Sequence, residues 1–198
     1  GPAHGGFLIE SAPAHPGLIA LAFPWEGREA SDALLAAIGL LAPLIGITAD
    51  RGHGRVRLSR HGVPLIDYRL APEDASTCRR ALVGMARLAR AGGAAELLAV
   101  GTPPAWLREG ADDRAFRTFL ERLADFDFRP NRGSLFSAHQ MGTARAGREP
   151  RTTACDPRGR VRADTTGGLI NGCYVADTSL FPTAAGVNPM VGAMQLAA

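Results

Sequence analysis

The chain has 198 residues, enough for one sizeable domain or two smaller parts sharing a core, and 46% of them are hydrophobic, which suits a packed globular interior. Its net charge of +3 rests on arginine alone. With no lysine anywhere, Schiff-base chemistry, a phosphate-binding P-loop and a lysine general base are excluded. The arginines are scattered rather than gathered into a stripe, which argues against a nucleic-acid surface. Cys78, Cys155 and Cys173 lie far apart with no CxxC or His–Cys pairing, so a metal site has no support. An odd cysteine count without a secretory signal favours free thiols in a reducing compartment, and a cytoplasmic location is expected. The longest apolar run, 33–47, is broken by Gly39, Pro43 and Gly46 and does not suit a membrane span. The sequence opens without Met, which leads us to expect more protein upstream.

Residues 6–22 hold short apolar segments interrupted by Pro13, Pro16 and Gly17, a pattern for strand and loop rather than helix. A helix is expected from Ser31, or from Asp32 as an alternative N-cap, to about residue 44, because Leu34, Leu35, Ile38 and Leu41 fall on one face. Arg55-Val56-Arg57-Leu58 then alternates polar and apolar, Arg60-His61-Gly62 can turn, and residues 63–70 resume in extended form. That is a hairpin, with Pro64 marking an edge strand or a bulge. After Pro72, Asp74 or Ser76 can cap a helix whose Leu82, Met85, Ala86 and Ala89 share a face, and Gly92-Gly93 stops it. Residues 94–100 read as a buried strand and 112–123 as a further amphipathic helix. Arg129-Pro130-Asn131-Arg132-Gly133 looks like a linker or crossover, beyond which long helices disappear until the last residues. Residues 169–176 read as a buried strand ending at Asp177, and Asn188-Pro189 as the N-cap and first residue of a closing helix. The whole is an α+β pattern of antiparallel strands and packed helices.

Three segments of the last third carry chemistry. Ser137-Ala138-His139-Gln140-Met141-Gly142-Thr143 sets a histidine beside a small-residue turn. Val175-Ala176-Asp177-Thr178-Ser179-Leu180-Phe181-Pro182 runs from a strand into a turn, and Gly186-Val187-Asn188-Pro189-Met190 leads into the closing helix. Taken singly, each has a plain structural account. A lone histidine is more often structural than catalytic, Asp177 suits a turn, Gly186 supplies backbone freedom, and Arg145 and Arg148 suit a surface. Cys155 and Cys173 are expected to be inert.

In that order and spacing, the three segments resemble the C-terminal signature of the glucose–methanol–choline (GMC) oxidoreductases. Ser137 to Thr143 resembles the branch that contains long-chain fatty alcohol oxidases, as do residues 6–17 and the 54–68 hairpin more loosely. The resemblance implies an α+β fold in two parts: a substrate-binding region of antiparallel sheet and helices over 1–133, and the C-terminal strand–helix portion of an FAD-binding domain over 134–198. The GxGxxG half that binds most of the FAD is not in this chain; Gly52-His53-Gly54 has the first two glycines, but Leu58 follows inside a strand pattern. The resemblance also implies a catalytic pair, His139 and Asn188. Because an amide cannot take a proton, His139 would act as base while Asn188 orients the alcohol. Ala176 and Asp177 would approach the diphosphate and ribityl chain of FAD. Asn188, Pro189 and Met190 would set a helix start against the flavin edge where negative charge develops.

The implied reaction is oxidation of a primary or secondary alcohol to a carbonyl, with electrons passing to FAD and on to oxygen or another acceptor. A hydrophobic substrate, such as a long-chain alcohol or a sterol, is favoured, with room for peripheral membrane association and no role for nucleic acid. The chain by itself is expected to be inactive. Two alternatives stand beside this reading: a non-catalytic truncated remnant or interaction module, and a GMC dehydrogenase subunit that passes electrons to a cytochrome partner.

Overall fold

The computed structural model describes residues 5–24 and 26–197. In chain order its elements are β1 (Phe7–Ser11), α1 (Pro16–Ala22), α2 (Arg28–Ala36), β2 (Leu44–Thr48), β3 (Arg55–Leu58), β4 (Pro64–Asp67), α3 (Pro72–Ala91), β5 (Leu97–Ala99), β6 (Ala105–Leu107), α4 (Asp113–Ala124), β7 (Arg160–Arg162), β8 (Leu169–Tyr174) and α5 (Met190–Ala197), with 3-10 turns at Ile38–Leu40 and Thr178–Leu180. Among the described residues the strands pair as four two-stranded antiparallel sheets, β1–β2, β3–β4, β5–β6 and β7–β8. Helices beside small antiparallel sheets make this an α+β fold, as the sequence pattern implies. Among the described residues, no helix is long and apolar enough to cross a membrane.

The chain forms two compact units. One contains Gly6–Thr48 and Pro72–Phe136; the other contains Ala49–Ala71 and residues 137–197. The hairpin β3–β4 therefore groups with the C-terminal third in compactness.

In the first unit, α3 is the organising helix. Pro72 opens it, two residues before the expected cap at Asp74, because proline suits the first helical position where its missing N–H costs nothing. Its C-terminus closes with Gly93 N–H donating to Arg90 C=O (3.1 Å) and Ala94 N–H to Ala89 C=O (3.0 Å). This is the paired arrangement that glycine beyond a helix end allows. Ala86 of α3 meets Leu97 and Ala99 of β5, Ala105 and Leu107 of β6, and Phe119 and Leu123 of α4 in one buried cluster. Asp112 caps α4, its carboxylate accepting the Ala115 N–H at 2.7 Å.

Two expectations in this unit are corrected. Residues 16–22 are helical rather than strand or loop: Pro16 sits in the first turn, and His15 Nδ1 accepts the Gly17 N–H at 3.1 Å, so a histidine caps the helix. The helix expected from Ser31 or Asp32 to residue 44 starts at Arg28 and ends at Ala36. Asp32 lies inside it, paired with Arg28 at 3.4 Å. Leu44 belongs to β2, which pairs with β1 from Phe7↔Thr48 to Ser11↔Leu44. A strand partner remote in sequence outweighs the local helical periodicity there.

In the second unit, β3 and β4 form the expected hairpin, with Leu58 opposite Pro64. Ser59 holds the turn, its hydroxyl oxygen accepting the N–H groups of His61 (3.3 Å) and Val63 (3.0 Å). Both strands are edges, which accommodates Pro64. The expected strand at 169–176 is present as β8 but not buried: all six of its residues are exposed, because a two-stranded ribbon leaves its faces uncovered.

The buried cluster of the first unit carries a direct test. Leu123 is 1% exposed and Leu40 is 90% exposed. Leu123→Ala is expected to lower unfolding free energy by about 2–5 kcal/mol through lost burial and the cavity left behind. Leu40→Ala should change it by no more than about 0.5 kcal/mol. Urea unfolding of the two variants measures the difference.

Candidate active site

The three motif segments lie in one unit and meet at the 3-10 turn Thr178–Leu180. The Asp177 carboxylate opens this turn by accepting the Ser179 N–H at 2.8 Å and the Ser179 hydroxyl. Those bonds, the hydroxyl foremost, hold the Asp177 carboxyl below the usual aspartate range. The charge is thereby turned back into its own loop. What Ala176 and Asp177 leave outward is backbone: among the described residues neither N–H donates to a protein acceptor, and both residues are exposed.

The His139 segment is laced to this turn along its backbone. Gly142 N–H donates to Thr178 C=O (3.2 Å), Ala144 N–H to Ser179 C=O (3.1 Å) and Ala146 N–H to Leu180 C=O (3.0 Å). The Thr178 hydroxyl donates to Gln140 C=O at 2.9 Å. His139 itself is half-buried in an irregular stretch. Leu180, 4% exposed, anchors the turn from beneath.

The closing helix reaches the same turn through Gly192. A Cβ at that position would lie 2.7 Å from Phe181 Cζ, so a side chain there would require the Phe181 ring to shift. The helix starts one residue later than expected, at Met190. Pro189 C=O accepts its first bond, from Ala193 N–H at 2.8 Å, so Pro189 takes the cap position and Asn188 immediately precedes it. Asn188 and Met190 are exposed and Pro189 is half-buried. Pro189 has no N–H to offer, and the first-turn N–H groups that follow it have no intrahelical partner.

A second loop supports the strand leading into the turn. Asp156 is buried and accepts from Arg158 N–H (3.0 Å), Arg160 N–H (2.9 Å) and Arg160 Nε (2.8 Å), with Arg160 Nη2 at 2.6 Å. Next to it, Gly159 has φ 76°, and its C=O accepts the Val175 N–H at 2.9 Å. A Cβ on Gly159 would lie 2.7 Å from Val175 O and 3.2 Å from Leu180 Cδ1. The loop thus fixes both the exit of β8 and the anchor of the 3-10 turn. Cys155 is fully buried beside it, its thiol pushed up in pKa mainly by burial, which fits the inert role expected of it. Asp156, Gly159, Thr178 and Gln140 have no individual role legible in the motifs. Asp-x-Ser at 177–179 and Asp-x-x-Gly at 156–159 are signals from which the two turns could have been found.

A model of the GMC oxidoreductase family matches residues 50–197. This chain belongs to the GMC oxidoreductases. A long-chain-alcohol oxidase of Arabidopsis thaliana is 28% identical over 198 residues, covering 98% of this chain and 26% of that protein. An uncharacterized GMC-type oxidoreductase of Mycobacterium tuberculosis is 35% identical over 196 residues, covering 97% of this chain and 28% of that one. Another, from Sinorhizobium fredii, is 30% identical over 181 residues, 90% of this chain and 32% of that protein. The chain thus spans between about a quarter and a third of the length of these GMC relatives. No solved structure matches it.

Two tests follow from the supporting loop of this GMC chain. Gly159→Ala is expected to cost about 1–3 kcal/mol of stability, since a side chain there meets both left-handed backbone strain and the Val175 carbonyl. Gly172→Ala, at φ 71° but with open space around it, should cost only the backbone penalty of about 1–2 kcal/mol. Thermal denaturation of both variants checks the order. For pH, Arg160 holds the Asp156 carboxyl below its usual range, with the backbone N–H groups of Arg160 and Arg158 assisting. A depressed carboxyl contributes stability that is complete above the ordinary aspartate pKa of about 3.9 and is lost as pH falls through its folded value. Melting temperatures from pH 7 to 2 should fall less steeply below about pH 4 in Asp156→Asn than in the parent.

Proposed function

We propose that this chain is part of an FAD-dependent enzyme that oxidises a hydrophobic alcohol to its carbonyl, with His139 as the base. Residues 1–133 would serve the substrate side and 134–198 the FAD side. The observation that carries this reading is the set of hydrogen bonds and the Gly192–Phe181 approach that gather the His139 segment, Asp177 and the α5 start around one 3-10 turn.

The donors there suit an anionic cofactor. The Ala176 and Asp177 N–H groups are unengaged by protein acceptors among the described residues, and the first turn of α5 presents further N–H groups at the positive end of a helix. Because the Asp177 carboxylate is engaged by Ser179, its contact with a diphosphate or ribityl chain falls to the backbone rather than to the charge. Asn188, Pro189 and Met190 would carry the helix start toward the isoalloxazine edge. Bound FAD would supply the two-electron acceptor that takes the hydride from the carbinol carbon.

His139 would accept the hydroxyl proton on an imidazole nitrogen, leaving an alkoxide-like oxygen that makes the carbinol carbon a better hydride donor. Asn188 would donate an amide N–H to that oxygen and fix its direction without taking the proton. The Arabidopsis relative is named a long-chain-alcohol oxidase, which favours an extended apolar alcohol here, with oxygen or another acceptor completing the cycle.

The mutational test separates the two side chains. In the FAD-loaded enzyme, His139→Ala should lower kcat by about a hundredfold to ten-thousandfold, the range for losing a positioned base, and should abolish the acid limb of the kcat/KM profile. Asn188→Ala should also slow turnover, by roughly a hundredfold if it acts as an oxyanion-type donor, while leaving that limb in place. A His139→Ala enzyme with parental turnover and an unchanged profile would return the histidine to a structural role.

A further inference from the structure

We infer that Thr178, with Gln140, is a positioning residue that sets where His139 stands; this rests on the reading of His139 as the base. The imidazole has no hydrogen-bond partner among the described residues, so its location depends on the backbone that carries it. That backbone is irregular from Leu135 to Met141. Its anchors to the 3-10 turn begin at Gly142, three residues past the histidine, when only main-chain bonds are counted.

The Thr178 hydroxyl moves the anchor two residues closer. By donating to Gln140 C=O at 2.9 Å, it fixes the Gln140–Met141 peptide, one residue past His139. The Gln140 carboxamide folds back and donates to Ser137 C=O, closing a short turn with His139 inside it. Thr178 is itself immobilised, since its C=O accepts from both Gly142 N–H (3.2 Å) and Phe181 N–H (3.1 Å). The result is a clamp of one hydroxyl and one amide, neither of which has to touch the substrate. Valine matches threonine in shape but lacks the hydroxyl, and serine keeps the hydroxyl but loses the methyl group. The pair therefore isolates the hydrogen bond from packing.

The experiment uses the FAD-loaded enzyme with Thr178→Val, Thr178→Ser, His139→Ala and the double variant His139→Ala/Thr178→Val. Two quantities are read: kcat, and the rate at which diethyl pyrocarbonate modifies the peptide containing His139. Thr178→Val is expected to lower kcat by about tenfold to a hundredfold, the scale of a misplacement near 1 Å, with KM changed far less. It should also raise the His139 modification rate severalfold. Thr178→Ser should restore both to within about threefold of the parent, as fits a lost hydrogen bond rather than lost packing. In the His139→Ala background, Thr178→Val should have no further effect on kcat, because its influence runs through the histidine. Parental kcat and modification rate in Thr178→Val would overturn the inference. An equal loss of kcat with and without His139 would also overturn it, since Thr178 would then act elsewhere. If His139→Ala retains full turnover, the catalytic reading falls, and the modification rate alone decides whether Thr178 holds the loop. Should Thr178→Val fail to load FAD, Gln140→Met carries the same test: faster modification of His139 supports the clamp and an unchanged rate refutes it.

Discussion

Backbone hydrogen bonds between residues 142–146 and the turn at 178–180 are the constraint on which the C-terminal unit depends. Neither segment is a regular strand, so neither has a ladder of its own to satisfy its polar groups. Each supplies what the other lacks, at alternate residues along one side and successive residues along the other. Because the turn also carries Asp177 at its start and leads into the Phe181 ring against α5, a displacement of the turn moves all three motif segments together.

This arrangement explains why so many small residues accumulate around it. Gly159 and Gly192 each occupy a place where a Cβ would collide with a carbonyl or an aromatic ring. Their value lies in distance: they let a loop and a helix approach the turn closely enough to fix it by contact. Arg160 and Asp156 perform the corresponding electrostatic work beneath β8, with a carboxylate saturated by donors from its own loop.

Much of the fold was legible from local signals. The hairpin at 55–67, the helix capped by Asp112 and the glycine stop at Gly93 all follow from residues within a few positions of one another. Leu44–Thr48 was not, because its helical-looking approach is overruled by pairing with Phe7–Ser11. Residues 16–22 escape local pattern for a different reason: Pro16 looks like a breaker, although proline in a first turn is well suited to start a helix. For the candidate site, the residue types and their order were readable as motifs. The hydroxyl of Thr178 on the Gln140 carbonyl was not, since a contact between residues 38 positions apart leaves no trace in local pattern. The burial expected for β8 failed because apolar character reports what a strand is suited to cover, and nothing among the described residues covers Leu169, Ile170 or Tyr174.

The contrast between Cys155 and Cys173 has a practical side. Cys155 is sealed in and its thiol is kept protonated by burial, whereas Cys173 is exposed on β8, three residues before Ala176, and Cys78 is only partly accessible. The sequence has no lysine to compete for electrophiles. A maleimide-linked fluorophore will therefore favour Cys173, giving an optical reporter a few residues from the strand exit without any engineered attachment point.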